Sequence, residues 1–458
     1  MKRLISFILM AFVFLSACSA TTDGGQGENV ETGAAVIETL DLNGATVLFY
    51  TNWPQHYRPD EVLSAEGDAF RARMSEVETN NNCVIDVTNP TAGVLPTIQA
   101  ALMAGDPAHL CDTEAKNTYT LYKADALVAF EDITTIDLSN EEKWGPAYFR
   151  QHGIYNGLTY GVHRLYTWTF IPEADGIIMV NNEEIKEYAF DSPYEMFEKN
   201  EWTWENFEKM LQTYTTVSSN GTDPVFALDI SDLNTFMSMS IFSNGGEIAR
   251  KNEDGSLSFA ASEPNALEAM EWVATLNKNK YIKMKIEDFY KGDNLFAATP
   301  VYMATSTSDG MKAWAPTFNM EDYFIINSPY GPKGTYGSSS GYVHTNRRLI
   351  SIINSNDSEV STENLGSILS QINVPLVING KATNWQDYTG RASLHYPDNE
   401  IPMLETIIEG AHYDYSVHLG TEYTKLTTKF NTIFTNKGTP AAAMAEIAEA
   451  LNIALNAE

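Results

Sequence analysis

At 458 residues, with 43% hydrophobic and 11% aromatic content, the chain reads as a globular protein too long for one ordinary core, so two domains are expected. Acidic residues number 60 against 29 basic ones, and the formal charge of −31 repels nucleic acid and anionic lipid while suiting neutral or weakly charged small solutes. Three cysteines are too few for a disulfide-built framework.

The N-terminus carries Lys2 and Arg3, then a low-polarity run over residues 4–15. That run is shorter than the ~20 apolar residues a spanning helix needs, and with its basic start it has the marks of an export signal. Its end, Leu15-Ser16-Ala17-Cys18, resembles the bacterial lipobox, which implies that residues 1–17 are removed and that Cys18 is lipidated. The plainer alternative is a secretory signal with an incidental cysteine. Residues 18–40 are small, polar and Gly-rich, the composition of a flexible tether.

Residues 45–50 form a β-branched and aromatic run, read as a buried strand. A helix is expected over 67–78, with Phe70, Met74 and Val77 on one face, broken at residues 80–82. A second strand is expected at 83–88. The next helix, 95–104, is stopped by Gly105, and a third strand is read at 108–111. This βαβαβ order builds a parallel sheet. Further on, a strand is expected at 176–180. Thr203 should cap a helix lined by Phe207, Met210 and Leu211, and residues 252–255 should turn a hairpin. Ser262 is read as the cap of a helix carrying Leu267, Met270 and Val273. Strands at 296–303 and 324–326 precede a helical stretch at 431–455, split near Gly438-Thr439-Pro440.

Several segments, in order, resemble the extracellular solute-binding proteins of bacterial ABC importers, the family that includes maltose-binding proteins. Gly105-Asp106-Pro107 is similar to the family's Gly-Asp-x-Pro-Asp element, without its second Asp. The segment 127–133 resembles the family's x-Leu-x-Pro-Leu-Asp, with Phe130 in the apolar slot. Residues 155–162 resemble Tyr-x-Gly-Lys-x-Tyr-Gly-Val, and 202–207 resemble Pro-x-Thr-Trp-Asp-Glu-Phe. Residues 289–293, with Tyr302-Met303, resemble Phe-x-x-Gly-Lys-x-Ala-Met.

The resemblance implies an α/β, two-lobed, periplasmic-binding-protein-like (type II) fold with the ligand cleft between the lobes. Lobe 1 would be 41–165 plus about 300–360, and lobe 2 would be 166–299 plus about 361–458. Crossings are expected near 163–175, 297–305 and 355–375. In such folds strand one lies between strands two and three. Cys83 and Cys111 would then be two strands apart, about 10 Å, too far for a disulfide.

Ligand-binding candidates are aromatic or polar groups near proposed strand ends: Trp53, Tyr166, Trp168, Trp314 and Tyr336, whose rings suit the apolar faces of sugars. Asp106, Asn244, Thr305 and Ser306 could supply hydroxyl partners, though each equally fits a loop or helix cap. Trp202, Trp204 and Trp272 are read as packing. Gly337-Ser338-Ser339-Ser340-Gly341 matches a nucleophile elbow in letters, but Tyr342-Val343-His344 after it reads as extended rather than helical. His412 and His418 form no metal motif. The resulting expectation is a monomeric, lipid-anchored solute-binding protein, with no cofactor, metal or nucleic acid, on the outer face of the cell membrane. It would deliver a small molecule, a sugar being favoured, to ABC permease subunits. The alternatives are a surface-anchored glycoside hydrolase and a binding protein that feeds a sensor.

Overall fold

The computed structural model describes residues 39–59, 65–145, 147–165, 176–218, 225–285, 287–299, 322–336, 342–343, 347–378, 380–382, 402–403, 406–407 and 411–456. The signal, most of the tether and Cys18 lie outside them.

The first lobe is built on β1 (Ala45–Thr51), α1 (Ala65–Asn81), β2 (Cys83–Thr88), α2 (Val94–Ala104), β3 (Leu110–Glu114) and α3 (Ala115–Lys123). The second contains β4 (Ile177–Asn181), α4 (Trp204–Ser218), β5 (Leu228–Ile230), α5 (Leu233–Ser243), α6 (Pro264–Lys278), β6 (Ile282–Lys283), β7 (Phe296–Thr299) and β8 (Tyr323–Asn327). The chain then returns to the first lobe for β9 (Arg348–Ile352) and α7 (Thr362–Ile372). It ends with α8 (Tyr423–Phe434) and α9 (Pro440–Leu455) against the second.

The first sheet has the order β9-β3-β1-β2, with β1 to β3 parallel and β9 antiparallel to β3. Period-two alternation in β1 buries Val47 and Phe49, which join Phe70, Met74 and Val77 of α1 and Leu365, Ile368 and Leu369 of α7 in one core. Asn81 ends α1 and is itself buried. Its carboxamide donates to the Val77 carbonyl at 2.6 Å and to Gln371 Oε1 of α7 at 2.9 Å. Asn82, at φ 43°, then turns the chain in the left-handed region that Asn tolerates. Gly105 closes α2 at φ 75°, its N–H bonding back into the last turn, as the sequence leads one to expect.

The second sheet has the order β6-β5-β7-β4-β8, with β4 antiparallel to both of its neighbours. Thr203 caps α4, its Oγ1 accepting from Asn206 N at 3.3 Å. Phe207, Met210 and Leu211 are buried as expected. Trp204 and Trp272 stack at 4.2 Å with 2° between planes, and Trp202 is fully buried, so all three are packing residues.

Several local expectations shift. The third strand begins two residues later than expected, which brings Asp112 into it. Glu263, not Ser262, precedes α6, and Pro264 takes the first helical position, where its missing N–H costs nothing. Two borders also need correction. Residues 323–327 are expected in lobe 1, yet β8 pairs with β4 over five residues and buries Ile325 and Ile326 in the second core. Residues 362–372 are expected in lobe 2, yet α7 packs on α1 in the first core. The return crossing therefore falls between Asn327 and Arg348, and the last one comes after α7. Strand-like runs taken in chain order carry no signal for β8 inserting beside β4.

Cys83 pairs in register with Ala45, and Cys111 with Tyr50, on opposite sides of β1. Two strand spacings across and five residues along separate them by roughly 19 Å, and both thiols are free and buried. Burial raises the Cys83 pKa to about 11 and pushes that of Cys111 higher still. Native protein should therefore react slowly with a thiol reagent, and denatured, unreduced mature protein should take up about two equivalents. A mass two units below the reduced value, with no uptake, would contradict this topology.

Candidate functional site

The first crossing and the return both begin and end at carboxyl edges of the two sheets. Val162 bridges Ile350 in the first sheet. The chain next enters β4 at Ile177, which pairs with Thr299 and Asn327 at the carboxyl ends of β7 and β8. The return runs from Asn327 to Arg348, which sits opposite Glu114 at the carboxyl end of β3. Ligands of open α/β sheets bind outside such edges.

On the first lobe this edge is organised by one buried ion pair. Asp112 is fully buried in β3, and Arg348 is the first residue of β9. The guanidinium donates from Nε to Asp112 Oδ1 at 3.1 Å and from Nη2 to Oδ2 at 2.5 Å, the two-pronged arrangement that suits Arg. Tyr57 donates its hydroxyl to the same carboxylate at 2.8 Å, and Arg348 also donates to Thr51 Oγ1 at 2.9 Å. The Tyr57 pKa is held well above its usual value by burial and by the Asp112 charge. Trp53 comes just after β1, its N–H held by Thr51 Oγ1 at 3.1 Å, and the Arg348 guanidinium lies 3.6 Å from the centre of its ring. One indole face is thus covered by the cation, and the side chain remains half-buried at the edge.

More basic groups adjoin. His163 Nδ1 lies 3.1 Å from the Arg348 carbonyl and 3.4 Å from Arg347 Nε, between an acceptor and a donor. Arg164 donates to His56 Nδ1. Burial, then the Arg164 and Arg348 charges, lower the His56 pKa to about 2, so His56 is a neutral acceptor at any working pH.

On the second lobe the edge carries Asp232, which caps α5 by accepting from Thr235 N at 2.7 Å, and the residues after β8. Asn327 donates to the Tyr330 hydroxyl at 3.2 Å, and its carbonyl accepts from Trp202 Nε1 at 2.8 Å. Tyr336 packs on Tyr330 with centroids 4.8 Å apart and keeps 39% of its surface exposed.

Of the candidates taken from the sequence, Trp53 and Tyr336 come after the strands β1 and β8 that end at these edges. Asp106 does not reach them. It is exposed beyond α2, before β3 begins, at the amino end of that strand, whereas the edge lies at its carboxyl end. Asn244 is fully buried and acts as a bracket. It donates to the Asn265 carbonyl at 2.9 Å and to Glu268 Oε2 at 3.0 Å, and accepts from Lys333 N at 3.0 Å. Its position as a helix stop is what the sequence motif meant. Tyr166, Trp168, Thr305, Ser306, Trp314 and the 337–341 motif lie outside the described residues. Sequence reasoning missed Asp112, Arg348, Tyr57 and Thr51. The available signal was Arg347-Arg348, adjacent bases opening an apolar run in an acidic chain. Among the described residues, no group of His, Cys, Asp and Glu could hold a metal ion, and no helix is long and apolar enough to cross a membrane.

Removing one partner of a buried pair leaves the other charge stranded. Arg348→Ala should therefore lower unfolding stability in urea by about 3–5 kcal/mol. Asp106→Ala should stay within about 0.5 kcal/mol. Similar small effects for both would show that the pair is not structural.

No protein-family model matches the chain, and no curated protein matches it in sequence. Solved structures do match its fold. The GacH receptor of Streptomyces glaucescens, described unliganded and with acarbose, is 13% identical with a TM-score of 0.62, covering 90% of this chain and 99% of that one. UgpB from Mycobacterium tuberculosis, in complex with glycerophosphocholine, is 12% identical with a TM-score of 0.64, covering 90% and 98%. The cyclic alpha-maltosyl-1,6-maltose binding protein of Arthrobacter globiformis is 14% identical with a TM-score of 0.61, covering 91% and 100%. With two α/β sheets joined edge to edge by crossing segments, the chain has the two-lobed type II fold of the solute-binding proteins of ABC importers.

Proposed function

We propose that this chain is a lipid-anchored extracellular solute-binding protein that captures a small carbohydrate for an ABC importer. The observation that carries the reading is Trp53, a half-buried indole fixed by Arg348 at the carboxyl edge from which the chain crosses to the other lobe. A ring held in place stacks on a sugar without losing much side-chain freedom, and Tyr336 offers a second ring after β8. Of the proteins of like fold, two are described with acarbose and with glycerophosphocholine, and one is named for binding a cyclic maltosyl-maltose, which supports a polyhydroxylated ligand. Binding proceeds by capture on one lobe and closure of the other, and the permease subunits recognise the closed form. ATP is consumed by a separate importer subunit. Cys18 carries the lipid that holds the protein at the outer face of the membrane.

Ligand at a hundredfold excess over its Kd stabilises a fold by about 2.7 kcal/mol. A thermal-shift screen of neutral sugars should find at least one responder, recovered chemically unchanged. Trp53→Ala should shrink the ligand-induced shift far more than Trp272→Ala, and Trp168→Phe should keep part of the shift that Trp168→Ala loses. Equal losses from Trp53→Ala and Trp272→Ala would refute the assigned site, and hydrolysis of the responder would move the protein to the glycoside hydrolases. Separately, Cys18→Ala should release the protein from the membrane fraction; retention of the variant there would refute the lipid anchor.

A further inference from the structure

Every open sheet ends in two edge strands, whose outward N–H and C=O groups invite a further strand. Among the described residues these are β9 and β2 in the first sheet, and β6 and β8 in the second. Backbone covers much of β9. Val162 and Ile350 exchange two hydrogen bonds of 3.0 and 2.8 Å, and Val128 donates to the Ile352 carbonyl at 3.0 Å. Strand β6 is only two residues long. At the carboxyl end of β8 the Trp202 indole donates to the Asn327 carbonyl, and backbone bonds of 2.9 Å join Trp202 and Trp204 to Tyr330.

Strand β2 is handled differently. It reads Cys-Val-Ile-Asp-Val-Thr over Cys83–Thr88, rich in β-branched residues, and Val84 keeps 53% of its surface exposed. Such a segment, with a single charge and neither Pro nor Gly, pairs readily with a copy of itself. Within the fold it pairs with β1, in parallel, from Cys83 opposite Ala45 to Thr88 opposite Tyr50. Along an outer strand of this kind alternate residues turn both backbone groups away from the neighbour, and Ile85 is one of them.

Two side chains answer the Ile85 backbone groups. The Ile85 N–H donates to Glu78 Oε1 at 2.8 Å, and Arg58 Nη2 donates to the Ile85 carbonyl at 2.8 Å. The same Nη2 and Oε1 meet at 2.6 Å. A carboxylate and a guanidinium therefore stand where the next strand would present one acceptor and one donor. Glu78 comes from the last turn of α1. Arg58 comes from the turn after β1, where its own N–H bonds the Pro54 carbonyl at 2.8 Å. With side chains 30% and 24% exposed, the two contribute little as an ion pair alone. What they change is access to the edge.

We propose that Arg58 and Glu78 guard the free edge of β2 against a second copy of this chain. Without them, two β2 strands would pair antiparallel about a twofold axis, with Ile85 opposite its own copy. Val84 of each copy would then face Asp86 of the other across the pair. The formal charge of −31 does not prevent this, because at physiological ionic strength it is screened beyond about 8 Å. The guard keeps the chain a monomer whatever solute the cleft holds.

Sedimentation velocity of the mature chain at about 0.15 M salt tests this. Wild type should stay monomeric up to about 100 µM, and the double variant Arg58→Ala, Glu78→Ala should dimerise with a Kd below about 100 µM. Hydrogen exchange of residues 83–88 in the double variant should slow as its concentration rises. Val84→Glu, added to the double variant, sets a second carboxylate against Asp86 of the other copy and should weaken the dimer at least about tenfold. Val84→Lys in the same background should tighten it. Val273→Ala, a cut in the second-lobe core, controls for general destabilisation and should stay monomeric. Arg58→Gln leaves the Glu78 bond to Ile85 in place and should dimerise more weakly; if the double variant does not fold, this one decides, and a monomer then overturns the proposal. A folded double variant that stays monomeric at that concentration overturns it too. So does dimerisation that leaves exchange at 83–88 unchanged, that responds alike to Val84→Glu and Val84→Lys, or that Val273→Ala matches.

Discussion

The buried Arg348–Asp112 pair is the interaction on which the rest of the molecule turns. A carboxylate with no exposed surface, in the third strand of a parallel sheet, is tolerable only if a guanidinium meets it with both prongs and further donors complete its shell. Tyr57 supplies one such donor from the turn after β1. The guanidinium arrives on β9, the strand that brings the chain back from the other lobe. One electrostatic requirement therefore fixes three things together: the register of the returning strand, the end of the return crossing, and the orientation of Trp53. The returning strand and the Trp53 ring share an anchor, so a change in how the chain crosses is felt at the ring.

Much of the first lobe was legible because its signals are local. Alternation in β1, the three-and-four spacing of Phe70, Met74 and Val77, and Gly105 at a helix end each need only a few neighbouring residues. Order along the chain also carried the parallel sheet and the separation of the two cysteines. The illegible part depends on long-range pairing. Nothing near residues 323–327 announces that they lie beside Ile177 to Asn181, and nothing near 362–372 announces α1 as their partner. The candidate site shows the same division. Trp53 could be singled out as an aromatic after a strand. Asp112 could not, because it stands just past the strand expected at 108–111, and its partner is 236 residues away. Asn244 and Asp106 were plausible polar residues near turns, and tertiary contacts or strand direction took them elsewhere.

The distribution of charge carries a further physical point. A net charge of −31 spread over the chain keeps the body from anionic surfaces. Arg164, Arg347 and Arg348 nevertheless gather at the carboxyl edge of the first sheet. There the minority charge is matched to the buried Asp112 carboxylate, while the acidic remainder holds the protein apart from other polyanions.

The central claim is that the carboxyl edges of the two sheets close on a solute. Small-angle X-ray scattering of the mature chain, with and without a saturating sugar found in the thermal screen, tests it most directly. Closure predicts a smaller radius of gyration and a shorter maximum dimension in the bound state, both reverting when the sugar is dialysed away. Identical scattering curves for the free and the saturated protein would contradict it.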